Sequence, residues 1–215
     1  VPASPVRRAI EVGSIVYLRR PTASDRAEFV QLRRTNRRHL EQWEPIPRGV
    51  NAFTPIELNK AFDRELKLRR TRTDERFLIC LVQTGEIAGK ISISGIHRGP
   101  LQECRLGYWI GRQFARRGCT TEAVALACRH AFQTLGLHRV EANMQPRNHA
   151  SRAVVRSNGF SQEGYSPRYL FIRSRWVDHE RWAINLEDWM TSRARPNRPK
   201  PKPGERPQPP KPLNR

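Results

Sequence analysis

Apolar and polar positions along the chain change period several times, and each change marks an element. SIVYLRR (14–20) alternates, as a half-buried first strand does. PTASDRAEFVQLRRTNRRHL (21–40) instead sets Phe29, Leu32 and Leu40 on one helical stripe, with Ser24 as the expected N-cap. EQWEPIPRGVN (41–51) is broken by Pro45 and Pro47 and reads as a loop. Thr54 is placed to cap a second helix over 55–70, carrying Leu58, Phe62 and Leu66 inward. FLICLV (77–82) is continuously apolar, the signature of a strand covered on both faces. Gly85 turns the chain into IAGKISISGI (87–96), where Ile91 and Ile93 alternate with Lys90, Ser92 and Ser94. RGP (98–100) breaks that run, and ECRLGYWI (103–110) is the next strand.

Helical spacing returns over 121–135 in Val124, Ala127, Cys128, Ala131 and Leu135, and Gly136 ends it. HRVEANM (138–144) is a strand, and SRAVVRSN (151–158) a short helix closed by Gly159. FSQEGY (160–165) and WVDHERWAINL (176–186) supply the last strands. The order βααβββαβαββ predicts an α/β fold: a single domain over 14–191, with a mixed central sheet flanked by helices. Residues 1–13 read as a flexible basic leader. From Ser192 onward the chain holds eight prolines, eight basic residues and one acid. That segment, 192–215, cannot bury a core and is expected to be a disordered basic tail.

The formal charge is +20, and all but six of the 40 basic residues are arginine. Such a field attracts anions of every kind without choosing among them. The four cysteines, Cys80, Cys104, Cys119 and Cys128, make no C-x-x-C pair and no zinc spacing, so buried thiols in a reducing cytoplasm are expected, with no metal. No stretch approaches a membrane span in length.

Candidate chemistry concentrates in FARRGCTTEAV (114–124), where a strand hands over to a helix. Free N–H groups at a helix start, a permissive glycine at 118 and fixed charge from Arg116 and Arg117 together suit a diphosphate. Thr120 or Thr121 can cap the helix or donate to a phosphate, and Glu122 is expected on the outer face. An ordinary glycine turn with exposed arginines explains the same residues equally well. Neither a Walker A loop nor a G-x-G-x-x-G fingerprint is present.

The neighbouring segments add a resemblance. HLEQWEP (39–45), LGYWIG (106–111), GCTTEA (118–123), LHRVEANMQPRNHASRAV (137–154), GFSQEGY (159–165), RYL (168–170) and RWVDHERWAI (175–184) together resemble the Rim branch of the GNAT acyltransferases. That resemblance spans about residues 14–190. It implies the GNAT fold, acetyl-CoA as acetyl donor, and transfer to the N-terminal α-amine of a ribosomal protein that begins with alanine. The family's Q/R-x-x-G-x-G/A loop falls on Ala115 to Thr120, with alanine first and threonine sixth, so its two ends depart from the pattern.

Further roles follow from the resemblance. The diphosphate would sit on backbone N–H groups of Arg116, Arg117, Gly118, Cys119, Thr120 and Thr121. The pantetheine arm would pair with the edge of Tyr108, Trp109 and Ile110, where that strand parts from HRVEANM. Asn148 would hold the arm, and Ser151 would protonate the leaving thiolate, although either residue could simply cap the helix. The glutamate that many relatives carry before the strand end is Arg105 here, which leaves Glu103, Glu44 or Asp178 as general base. Trp43, Glu44 and Tyr169 are acceptor-side candidates. Asp178 and His179 form either a catalytic pair or a structural pair at the sheet edge. Two other readings stand beside this one: a small-amine acetyltransferase, and a non-catalytic factor that associates with RNA or the ribosome through its basic surface and tail.

Overall fold

Eight strands form one sheet in the order β1-β2-β3-β4-β5-β6-β8-β7. The computed structural model describes residues 5–46 and 50–194, so Pro47 and most of the expected tail lie outside the described residues. The strands are β1 (Glu11–Val12), β2 (Val16–Arg19), β3 (Asp74–Leu81), β4 (Ile87–His97), β5 (Glu103–Ile110), β6 (Arg139–Met144), β7 (Ser161–Ile172) and β8 (Arg175–Asn185). The helices are α1 (Arg26–Thr35), α2 (Arg37–Leu40), α3 (Pro55–Lys67), α4 (Cys119–Arg129), α5 (His149–Ser157) and α6 (Leu186–Ala194). A mixed sheet with helices packed on it is the architecture the period changes predict.

Several boundaries differ for local reasons. The expected helix over 21–40 is a 3-10 turn at Ala23–Asp25 followed by α1 and α2. Ser24 does not cap it: the Asp25 carboxylate accepts from the Thr22 N–H at 2.7 Å and is gripped by both terminal nitrogens of Arg19. The helix breaks at Asn36, whose Oδ1 accepts from the Arg112 N–H at 2.7 Å. Thr54 caps α3 as expected, accepting from the Glu57 N–H at 3.3 Å. α4 starts two residues early and continues past Arg129 as a π-helical turn, His130–Thr134, before Gly136 takes φ 63°. Residues 11 and 12, read as leader, pair with Leu18 and Tyr17 as β1. α6 was not foreseen, and it carries the folded chain to Ala194.

All neighbouring strands are antiparallel except β5 and β6. That parallel pair bridges only Glu103–Arg105 with Arg139–Glu141. Beyond Arg105 the two strands diverge, so the β5 edge from Leu106 to Ile110 loses its ladder partner there. The side-chain period of two assigns the faces. Cys104, Leu106 and Tyr108 share the α4/α5 face with Val140, Ala142 and Met144. Trp109 points to the other face, where its ring meets Phe29 of α1 at 5.7 Å. The main core is continuous on both sides, from Tyr17, Phe62 and Phe77 to Val124, Phe132 and Trp182.

Candidate active site

The loop from Ala115 to Gly118 reverses direction through two left-handed residues, Arg116 (φ 63°) and Gly118 (φ 79°). Gly118 is the N-cap of α4 and makes no side-chain cap bond, so neither Thr120 nor Thr121 caps the helix as expected. The first intrahelical bond is Glu122 N–H to Gly118 O, at 3.0 Å. The N–H groups of Cys119, Thr120 and Thr121 precede it and have no helical acceptor, which leaves a positive helix end. Arg116, Arg117 and Gly118 are exposed around it, while the Cys119 side chain is buried beneath. A Cβ on Gly118 would stand 3.0 Å from Ile15 Cδ1, so a side chain there would crowd the cradle. These features fit an anionic diphosphate.

Glu122 does not lie free on the outer face. Its carboxylate accepts from the Ser14 N–H and hydroxyl and from the Ile15 and Val16 N–H groups, at 2.7–2.8 Å. Burial would raise its pKa, but the Ser14 hydroxyl and the three N–H donors outweigh that and hold it below the usual glutamate value. The link ties β2 to the start of α4 and takes a carboxylate that would repel a diphosphate into a hydrogen-bonded niche.

At the splay, Tyr108 Oη and Ser151 Oγ stand 2.7 Å apart. Burial pushes the Tyr108 phenol up to about 12, against the opposing hydrogen bond to Ser151, so the phenol keeps its proton at neutral pH. The capping question resolves in favour of Asn148, whose Oδ1 accepts from the Ser151 N–H at 3.1 Å. The Ser151 hydroxyl is thereby available to Tyr108. Ile110 is buried, and Trp109 packs under Arg33 with its Nε1 buried and unpartnered.

The base candidates fare differently. Glu103 begins β5, five residues from Tyr108 and on the opposite face, which is about 17 Å along the strand. Its carboxylate lies 3.8 Å from Arg105 and 3.7 Å from Arg139, among the ion pairs that brace the β5–β6 bridge. Glu44 is held by both terminal nitrogens of Arg33, at 2.9 and 2.6 Å. Asp178 accepts from Tyr165 Oη at 2.5 Å and from the Arg168 N–H at 2.7 Å, which fixes the bulge between β7 and β8. Each of these three carboxylates is occupied in the fold.

The loop that carries Trp43 and Glu44 lies against the chain that follows β6. The Arg147 guanidinium lies 5.3 Å from the Trp43 ring, and Gln145 Nε2 donates to Gln42 O at 3.2 Å. The 41–46 loop is thus fastened to the chain just beyond β6. Tyr169 Oη accepts from Asn143 Nδ2 at 3.4 Å, on the face opposite α4. Arg33, Arg147 and Asn143 were not singled out from sequence. An arginine in a helix or a short polar residue in a strand carries no signal until the fold shows its partner.

Residues 16–161 match the family model described as "Acetyltransferase (GNAT) domain". The chain is 33% identical over 173 residues to a Bacillus subtilis protein named "Probable N-acetyltransferase YjcK", covering 80% of this chain and 94% of that one. It is 31% identical to the [ribosomal protein uS5]-alanine N-acetyltransferase of Escherichia coli, over 74% of this chain and 81% of that one. Mycobacterium smegmatis RimJ, solved in complex with CoA-disulfide, superposes with a TM-score of 0.76 at 32% identity, covering 83% of this chain and 88% of that one. Among the described residues no helix is long and apolar enough to cross a membrane. With a family match over most of the sheet, a glycine-hinged helix start and a splayed β5–β6 pair, the chain belongs to the GNAT acetyltransferase family, the enzymes that transfer an acetyl group from acetyl-CoA to an amine.

Proposed function

We propose that this enzyme acetylates the N-terminal α-amine of a ribosomal protein whose first residue is alanine, in the cytoplasm. The observation that carries the reading is the Tyr108–Ser151 pair, 2.7 Å apart at the mouth of the splay. The 31% identity to an enzyme named for uS5-alanine acetylation supports the acceptor, and the coenzyme in the RimJ complex supports the donor. The four cysteines are free and buried, which fits a reducing compartment.

In this reading Arg116, Arg117 and the N–H groups of Gly118, Cys119, Thr120 and Thr121 hold the diphosphate. The free edge of Tyr108, Trp109 and Ile110 aligns the amide arm as an added strand. Asn148 caps α5 through Oδ1, and its Nδ2 remains to hold that arm. When bound, acetyl-CoA supplies a thioester whose carbonyl carbon the amine attacks. Ser151 gives its hydroxyl proton to the departing thiolate and recovers one from Tyr108, whose raised pKa keeps the relay loaded. Trp43, Glu44 and Tyr169 border the acceptor side, with Glu44 acting by holding Arg33 in place.

The test is mass spectrometry of deacetylated ribosomal proteins incubated with the full-length enzyme and acetyl-CoA, with spermidine and free amino acids as parallel acceptors. A mass gain of one acetyl group on one alanine N-terminus is expected. Transfer only to the small amines would replace the acceptor, and coenzyme binding with no transfer would favour the non-catalytic alternative. The basic segment after Ala194 supports a salt-sensitive association with ribosomal RNA. A chain ending at Ala194 should lose ribosome binding while still acetylating a free peptide, and equal binding by the shortened chain would discard that association.

A further inference from the structure

Each of the three carboxylates considered above is engaged by other groups of the fold, yet an ammonium must lose a proton before it can attack. On the sheet face away from α4 and α5, a different set of groups gathers where β5 and β6 part. Asn143 stands two residues, about 7 Å, beyond Glu141, the last β6 residue bridged to β5. Its Nδ2 donates to Tyr169 Oη, and its Oδ1 is buried with no hydrogen-bond partner. The Tyr169 ring packs on the His179 imidazole, with centroids 5.3 Å apart. His179 is 3% exposed. Its Nδ1 lies 3.1 Å from the Val177 carbonyl oxygen, which can only accept. The proton therefore sits on Nδ1, and Nε2 carries the lone pair.

Leaving a buried acceptor unpaired is costly, so native folds seldom retain one that a ligand or water does not satisfy. A buried amide oxygen without a donor, joined through Tyr169 to an imidazole with an uncommitted lone pair, suits a ligand bearing several N–H groups. A primary ammonium is such a ligand.

We propose that Asn143, Tyr169 and His179 seat the acceptor's amine, with Asn143 Oδ1 accepting one N–H and His179 Nε2 taking the proton that frees the nitrogen lone pair. This deepens the acetyltransferase reading and rests on it. One N–H bond of the ammonium breaks as the imidazole N–H forms. The freed lone pair makes the C–N bond to the thioester carbon while the C–S bond breaks. The second ammonium proton, shed as the amide forms, passes through solvent to the Tyr108 phenolate and restores the proton that Tyr108 and Ser151 gave to the thiolate. His179 then returns its proton to solvent. Tyr169 touches the imidazole and the Asn143 amide, and positions both.

The environment suits a base at neutral pH. Burial lowers the His179 pKa below the ordinary imidazole value, and the Val177 carbonyl and Asp178 oppose it without reversing it. The charged and titratable groups around the ring are Tyr169 from β7 and, along its own strand, the adjacent Asp178 and Arg181, the latter on the same face, while β6 presents the neutral Asn143. Asp178 is already occupied by Tyr165 and the Arg168 N–H.

The experiment uses the full-length enzyme, acetyl-CoA and a peptide with a free N-terminal alanine, with kcat and both KM values followed from roughly pH 5.5 to 9, a span bracketing the histidine and α-amine pKa values. His179→Gln should lower kcat by about 100-fold or more near pH 7 while leaving the KM for acetyl-CoA unchanged. Its rate should then climb with the free-amine fraction, so that the deficit narrows toward pH 9. Asn143→Ala should raise the KM for peptide more than it lowers kcat. Independently of turnover, the His179 ring proton in the NMR spectrum should titrate below the ordinary histidine range and move when peptide is added without acetyl-CoA. A His179→Gln enzyme within threefold of wild type across the range, or a ring signal indifferent to peptide, would overturn the seat while leaving the acetyltransferase reading intact. A wild-type enzyme that acetylates no amine at all would instead overturn the reading itself, and the seat with it. If His179→Gln melts below the assay temperature, the NMR titration of the wild type decides.

Discussion

Replacing Gly118 with alanine probes the hinge on which the diphosphate cradle depends. Gly118 has φ 79°, and holding an L-residue there costs about 1–2 kcal/mol. Alanine also stiffens the unfolded chain, which returns about 0.4–1 kcal/mol. The added Cβ meets Ile15 Cδ1 at 3.0 Å. Ile15 is 40% exposed, so the tip of its side chain can swing aside at little cost. The net expectation is a loss of about 1 kcal/mol, or a fall in Tm of about 2–4 °C for a chain of this size. Thermal melts with and without coenzyme A measure both consequences. If the backbone holds, Gly118→Ala melts lower and the ligand-induced rise in Tm is preserved. Gly118→Val, bulkier and β-branched, should lose stability and the ligand-induced rise together. The same alanine change in an Ile15→Ala background separates conformational strain from crowding, because only crowding is relieved. An alanine variant as stable as wild type, or a deficit that vanishes in that background, would show that the left-handed hinge is not what glycine supplies.

Three further outcomes follow from the geometry. Tyr108→Phe and Ser151→Ala should each lower kcat by about 10- to 100-fold, toward the low end of general-acid effects, with little change in the Kd for acetyl-CoA measured by calorimetry. Glu122→Gln should destabilise the fold by about 1–2 kcal/mol, since three backbone N–H donors and one hydroxyl then share a neutral acceptor. Because the folded pKa of Glu122 is depressed, its contribution is present above the unfolded carboxyl value and disappears as pH falls through the folded one. The difference in Tm between wild type and variant should therefore shrink on acidification below the ordinary glutamate pKa. Arg33→Met should cost about 2–3 kcal/mol by stranding the partly buried Glu44, and Arg33→Met with Glu44→Leu should recover most of it, as urea melts would show.

Much of the fold was legible in the chain because apolar period is a local property. β5 falls at the boundaries its alternation predicts, and Thr54 caps α3 because a threonine before a proline-led helix needs no tertiary help. Both fold class and family resemblance could be read without coordinates. The break at Asn36 was not legible, because it depends on a backbone N–H at position 112. Nor was α6, whose weak amphipathic pattern gives little periodic signal.

For the site, the sequence by itself determined the glycine hinge with its arginines, the Tyr108–Trp109 alternation, and the presence of Asn148 and Ser151 at a helix start. Tertiary structure alone decided which of those last two caps and which meets Tyr108. It also decided that Glu103, Glu44 and Asp178 are occupied, that Glu122 reaches back more than 100 residues to hold β2, and that Asn143 and His179 share a face with Tyr169. The division has one physical cause. Secondary structure follows from spacing within a few residues, whereas a carboxylate or an imidazole takes its role from whichever charges and hydrogen-bond partners the folded chain brings within about 3 Å of it.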